Sequence, residues 1–306
     1  MTTLRRYRVT AADAAAMPAA LATEARYLGY RADDLAKPYA SFFRPDMLPV
    51  PERVAEAIVA GMAPTEYHVD LNSFADELSK PGYSSLEDGW TRRGGTTYVA
   101  VRTEMPGVTA QMWEWWFGWH STESARYKLW YPDAHQFAGV GEDRSADRGL
   151  TDRQRYIDNV SYVDEYIGGR LQKLAIRFFD PQRVGLADRP GWTHICARVG
   201  FNHLPLVFGW LVHQVRPTES GSEMRSRFCL NDPAIVRLPR GSQLAHRGTG
   251  LLSAAARLGL ESPSPRLTRR ALPDSIGGDM VYHCSKEMNH LASLLPELHA
   301  AFAGTP

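Results

Sequence analysis

The chain has 306 residues, with 35 Lys and Arg against 34 Asp and Glu and a formal net charge of +1. That length suits one large domain or two modest ones with a full core, and the near-zero balance offers no basic surface for nucleic acid or an anionic membrane. Three cysteines, Cys196, Cys229 and Cys284, are an odd number without close spacing, which fits reduced thiols in a cytoplasmic protein better than a secreted disulfide scaffold.

In chain order, Met1 to Thr10 is Arg-rich and lacks an apolar core, so no signal peptide is expected. Ala-rich segments at Thr10 to Tyr27 and Pro51 to Met62 have helical spacing. Between and beyond them lie Pro-bearing turns at Lys37-Pro38, Arg44-Pro45 and Ala63-Pro64. We therefore expect a small helical region over 1–92 and a second unit over 93–306. Thr96 to Glu104, Leu171 to Phe179, Thr193 to Phe201, Leu206 to Arg216 and Glu223 to Leu230 read as antiparallel strands. Thr109 to Trp119 reads as a helix opened by Thr109, and its cluster of Trp113, Trp115, Trp116, Phe117 and Trp119 either fills a core or lines a pocket. The apolar run Leu204 to Val212 is too short for a membrane helix, which needs about 20 residues. Pro239 to Pro273 reads as an irregular excursion. Last comes a helical stripe, Val281, Cys284, Met288, Leu291, Leu295, Leu298 and Phe302, with His283, Glu287 and His290 along its margin.

Strands followed by one long C-terminal helix predict an α+β architecture, a curved antiparallel sheet gripping that helix around a pocket. The spacing of His283 and Glu287 puts an imidazole and a carboxylate on one helix face, a pair that can meet one metal ion but is also common on solvated helices. Upstream, a short extended segment from Arg126 through Tyr127 to Pro132 delivers His135 on a turn. Glu165 sits among apolar and aromatic residues from Tyr162 to Gly169, where a carboxylate needs a cationic partner, an arginine or a metal.

Taken together, Arg-Tyr-Lys-Leu-Trp before Pro132 and His135, the Glu165-Tyr-Ile-Gly-Gly segment, Val212-His-Gln-Val and the terminal His283/Glu287 pair resemble the 2,4-diacetylphloroglucinol hydrolase and phloretin hydrolase family. The resemblance runs from about Thr96 to the C-terminus. It implies a Bet v 1-like, helix-grip catalytic domain, a homodimer, and a zinc ion held by His135, Glu165, His283 and Glu287, with His120 competing for the first position. It also implies hydrolysis of the carbon–carbon bond between an acyl group and a phenolic ring of a small aromatic ketone. His213 matches a histidine associated with catalysis, and Tyr127 a tyrosine that contacts substrate hydroxyls, although each has an ordinary structural alternative.

Zinc suits these nitrogen and oxygen donors, and iron or manganese accepts them too. Such an ion polarises a ketone and lowers the pKa of a bound water to about 7, so that hydroxide attacks the carbonyl while an acid protonates the departing ring. Glu123, Tyr131 and His203 are further pocket candidates. Two departures stand out: Phe228 takes the place of a tyrosine, and an expected asparagine falls near Phe137 and Ala138. A less oxygenated or bulkier acylated phenol, such as a polyketide product, is therefore the expected substrate. Two other readings remain open at this point: a helix-grip protein that binds an apolar small molecule without hydrolysis, and a related metal-dependent lyase or cyclase.

Overall fold

The computed structural model describes residues 17–204, 206–235 and 272–306. In chain order they form α1 (Ala19–Ala22), α2 (Ala32–Leu35), α3 (Glu52–Ala60), α4 (Phe74–Ser79), β1 (Gly89–Arg93), β2 (Thr96–Pro106), α5 (Ala110–Trp119), α6 (Ser124–Tyr127) and β3 (His135–Val140). There follow α7 (Asp152–Tyr156), β4 (Val160–Ile167), β5 (Arg170–Phe179), β6 (Thr193–Phe201), β7 (Leu206–Thr218), β8 (Gly221–Ile235), α8 (Ile276–Ala292) and α9 (Leu295–Phe302).

The strands make one antiparallel sheet in the order β1-β2-β8-β7-β6-β5-β4-β3. Helix α8 touches β1 and β2 near one edge and β4 near the other. Strands β2 and β4 are five positions apart in that order. Laid flat, they would be about 24 Å apart, roughly twice the width of a helix. The sheet must therefore curl around α8, which is the helix-grip arrangement expected from the sequence. Close approach at the β1 edge depends on Gly277, because a β-carbon there would collide with the Trp90 indole.

Five strands lie where the sequence places them, and Thr109 caps α5 by accepting from the Met112 amide. Four local expectations need correction. Residues 126–128 are not extended: α6 ends at Tyr127, and His135 is delivered as the first residue of β3, its amide bonded to the Tyr131 carbonyl at 2.8 Å. The C-terminal helix is two, because Pro296 in the first turn of α9 has no N–H to continue the α8 ladder. The Thr10 to Tyr27 helix shrinks, within the described residues, to Ala19–Ala22. His283, Glu287 and His290 are buried rather than marginal; β4 packs against α8, and His135 of β3 lies 3.5 Å from Glu287. Most of the Pro239 to Pro273 excursion lies outside the described residues.

Both faces of the sheet are covered. Inside, α8 and α5 pack on the main core, where Trp113, Trp115, Trp116 and Trp119 are all buried. Outside, Phe74 and Leu78 of α4, with Leu71 and Leu86, pack on Tyr98, Trp210, Val212 and Cys229. A buried ionic cluster fastens this outer layer: Arg225 and Arg227 on β8 both bond to Glu77 and Glu87. Cys196, Cys229 and Cys284 are buried free thiols. Among the described residues, no helix is long and apolar enough to cross a membrane.

Candidate metal centre

Three elements meet on the inner side of the sheet. On β4 the alternation of faces turns Ser161, Val163, Glu165 and Ile167 inward, while Asp164 points outward to Arg26 at 3.2 Å and Asn202 at 3.3 Å. β3 pairs with β4 so that His135 lies opposite Glu165, and α8 lays His283 and Glu287 over both. One donor atom from each of His135, Glu165 and His283 lies within 4.8 Å of the others. Glu287 joins through its Oε2, 3.5 Å from His135 Nε2 and 3.7 Å from His283 Nε2.

The two imidazoles are oriented from behind. His135 Nδ1 bonds to the Tyr127 carbonyl at 3.0 Å, which directs its Nε2 lone pair at the carboxylates. His283 is held in the same way by the backbone of Tyr166, and its ring stacks on Tyr131 at 5.0 Å. Tyr127 also stacks flat on His135 at 3.7 Å and donates its hydroxyl to Glu165.

These groups do not satisfy one another. His135 Nε2 is buried with no hydrogen-bond partner, and its carboxylate neighbours at 3.5 and 3.6 Å are beyond hydrogen-bond range. Burial pushes Glu165 up to about 7 despite the Tyr127 bond, and burial with the Glu165 charge holds Glu287 well above the usual carboxylate range. Burial holds His135 far below the usual imidazole range and His283 at about 4, so neither supplies a balancing positive charge. A divalent cation would supply it. Two donors each about 2.1 Å from a tetrahedral ion lie roughly 3.4 Å apart, close to the separations found here. The donor set therefore fits a metal such as zinc.

The other expected residues divide. His120 binds the Trp116 carbonyl through Nδ1 at 2.7 Å and Ser121 Oγ through Nε2 at 3.2 Å, so its ring is occupied outside the cluster. His213 stands apart as well, its Nδ1 on Ser226 Oγ at 2.8 Å, between Phe117 and Phe228. Both histidines, with Tyr127, line a cavity of about 290 Å³ that Glu165, His283 and Glu287 also border. Phe228 lines it too, whereas Ala138 is packed in the core and bonded to Ser124. Glu123 and His203 do not border it: Glu123 pairs with Lys37 and Tyr39, and His203 is exposed. Tyr131 acts behind His283.

Sequence reasoning missed the brace behind this centre. Residues 26–39 grip the ligand-bearing segment 123–135. Gly29 N bonds to Pro132 O at 3.2 Å, Tyr30 Oη to Ala125 O at 2.6 Å, and the Lys128 ammonium sits 3.1 Å from the Tyr27 ring centre. Asp34 lies 4.0 Å from that ammonium and accepts from Tyr27 Oη and Arg31 N. Burial lowers the Lys128 pKa to about 8, with Asp34 opposing the fall. Asp34→Ala is expected to cost about 2 kcal/mol in thermal unfolding, because it leaves a buried ammonium and two donors unmatched. Adding Lys128→Met should restore part of that loss. An additive double mutant would show that the two residues are not coupled.

Architecture and centre define a class: a helix-grip protein with two histidines and two carboxylates converging on the wall of an apolar cavity. Residues 71–300 match the DAPG hydrolase PhiG domain, and the chain belongs to that family. It is 32% identical over 284 residues to the 2,4-diacetylphloroglucinol hydrolase of Pseudomonas protegens, covering 88% of this chain and 86% of that one. To the phloretin hydrolase of Eubacterium ramulus it is 26% identical over 275 residues, covering 86% and 89%. A solved structure, the Zhui aromatase/cyclase from Streptomyces sp. R1128, matches 69% of this chain and 99% of its own at 14% identity, with a TM-score of 0.29.

Proposed function

We propose that this chain is a metal-dependent hydrolase that cleaves the carbon–carbon bond between an acyl group and a phenolic ring, with zinc held by His135, Glu165, His283 and Glu287. The observation that carries the reading is the unpartnered His135 Nε2 facing buried carboxylates beside the cavity. Membership of a family whose relatives are named as hydrolases of 2,4-diacetylphloroglucinol and phloretin supplies the substrate class.

When bound, the cation supplies Lewis acidity toward the ketone oxygen and toward water. The protein's own groups supply the rest. Burial and the neighbouring Glu165 charge hold the Tyr127 hydroxyl protonated, so it donates its one proton to Glu165 and its oxygen accepts from a ring hydroxyl. Burial holds His213 at about 3, so the ring is neutral; with Nδ1 engaged by Ser226, its other nitrogen is the one available to the cavity. A departing aryl group must gain a proton at the carbon that loses the acyl group. His213 is on the cavity wall outside the proposed ligand set, and as a neutral imidazole it takes the proton of a ring hydroxyl and passes it to that carbon, the ring becoming its keto tautomer before the acyl bond breaks and His213 ending neutral as it began. The apolar wall formed by Phe117, Phe178 and Phe228 holds the ring and keeps bulk water from it.

The test is turnover. Zinc-loaded protein should release the free phenol and the carboxylic acid from an acylphloroglucinol, lose that activity to a chelator and regain it with zinc. Tight binding of the ketone that survives chelation, without cleavage, would favour a small-molecule binding protein instead. Ring specificity follows from Phe228, whose ring lies edge-on to His213 at 5.7 Å. Phe228→Tyr adds a donor there, and kcat/KM for a trihydroxylated ring relative to a monohydroxylated one should rise about tenfold. An unchanged ratio would remove Phe228 from ring recognition.

A further inference from the structure

The cavity is chemically lopsided. Tyr127, His120, His213 and Ser161 give polar groups to its lining, and so do Gln172, which pairs with Glu165 across β4 and β5, and Arg170 at the β4–β5 turn. A different wall leads away from Glu165. On β4, the inward residue before Glu165 is Val163, which pairs with Leu174 on β5, which in turn pairs with Phe201 on β6. That row crosses two strand spacings, about 10 Å. The Phe208 ring continues it, 4.6 Å from that of Phe201. Opposite, α8 descends from His283 through Met280 to Ile276, seven residues or about 10 Å of helix, and both of those side chains border the cavity. None of these six side chains carries a hydrogen-bonding group.

We infer that this arm holds the acyl group of the substrate, and that the physiological substrate is an aryl ketone whose acyl chain is an extended alkyl group rather than acetyl. The inference rests on the hydrolase reading above. The ketone carbon must lie at the centre, so the ring and the acyl group occupy opposite sides of it. Ring hydroxyls placed against these six side chains would lose their water without gaining a partner from them, whereas Tyr127, His213 and Ser161 offer partners elsewhere on the lining. Methylenes placed in the arm gain by leaving water. The arm's residues are therefore determinants of acyl specificity.

The experiment is a homologous series of acetyl-, butanoyl-, hexanoyl- and octanoyl-phloroglucinol with the zinc-loaded full chain. The kcat/KM should climb by up to about fourfold per methylene until the arm is filled. Met280→Trp should shorten the optimum and Phe208→Ala lengthen it, read as the octanoyl-to-acetyl ratio within each variant so that any change in folding cancels. In parallel, the Kd of non-hydrolysable 4-alkylresorcinols, followed by quenching of tryptophan fluorescence, should fall with chain length in native protein and follow the same two shifts. A flat or falling profile with acetylphloroglucinol still cleaved would overturn the arm and leave the hydrolase reading intact. No cleavage of any homologue, together with chain-length-dependent resorcinol binding, would keep the arm and sink the hydrolase reading.

Discussion

His283→Ala is expected to abolish both metal retention and hydrolysis. In the proposed centre His283 is one of four donors, and its removal leaves His135 with two carboxylates that burial already holds toward their neutral forms. Losing a residue that merely supports a ligand typically costs 10–100-fold in affinity or activity. Loss of a ligand itself should exceed that, to on the order of a thousandfold in kcat/KM, with metal content in purified protein falling from about one per chain to a small fraction. Because metal binding to the native state is linked to stability, the native protein should melt lower in chelator and the variant should not respond. Equal zinc content in the two proteins would remove His283 from the ligand set.

The second large effect lies on the opposite face of the sheet. Arg225 and Arg227 are fully buried and share Glu77 and Glu87, at 2.9 and 2.7 Å for Arg225 and 3.1 and 2.6 Å for Arg227. Arg227→Met deletes one of two buried cations and leaves two carboxylates facing one guanidinium, a change that costs about 3–5 kcal/mol. For a domain of this size the thermal midpoint should drop by roughly 10 °C. The same cluster sets acid sensitivity. Burial alone would raise the Glu87 pKa, but its hydrogen bond to Arg225 and the charge of Arg227 outweigh burial and hold the carboxyl at about 2, against 4.5 in the unfolded chain. A depressed carboxylate pKa contributes stability that is fully present above the unfolded value and lost as pH falls toward the folded one. Native protein should therefore lose stability steeply between about pH 4.5 and 2, and the Arg227→Met variant, already lacking much of that term, less steeply. Urea midpoints measured across that range decide it; parallel slopes would show that the cluster is not the acid switch.

The pairing of His283 with Glu287 is legible in the sequence because helical periodicity is local: the two share a face whatever they meet. Strand β4 was harder to read. Asp164 and Glu165 interrupt its apolar pattern, and only the structure shows that they face opposite ways, one to Arg26 and one to the metal centre. β1, with two arginines in its five residues, carries little strand signal and forms by pairing with β2. The apolar run around Val212 was legible as strand but its cause was not. It is apolar on both sides because residues 71–86 cover the outer face, which no periodicity within β7 announces. The brace formed by residues 26–39 likewise depends on partners about a hundred positions away, as with Tyr30 and Ala125. What favours His135 over His120 in the proposed ligand set is hydrogen bonding to backbone carbonyls, which motifs do not encode: Trp116 holds one ring away from the cluster and Tyr127 turns the other toward it.

Crystals of the zinc-loaded protein, with anomalous diffraction recorded on either side of the zinc absorption edge, test the central claim most directly. A single strong peak should appear enclosed by His135 Nε2, His283 and the carboxylates of Glu165 and Glu287, at bonding distance from each. A peak at another site, or density in which these four side chains bond only to water and to one another, would contradict it.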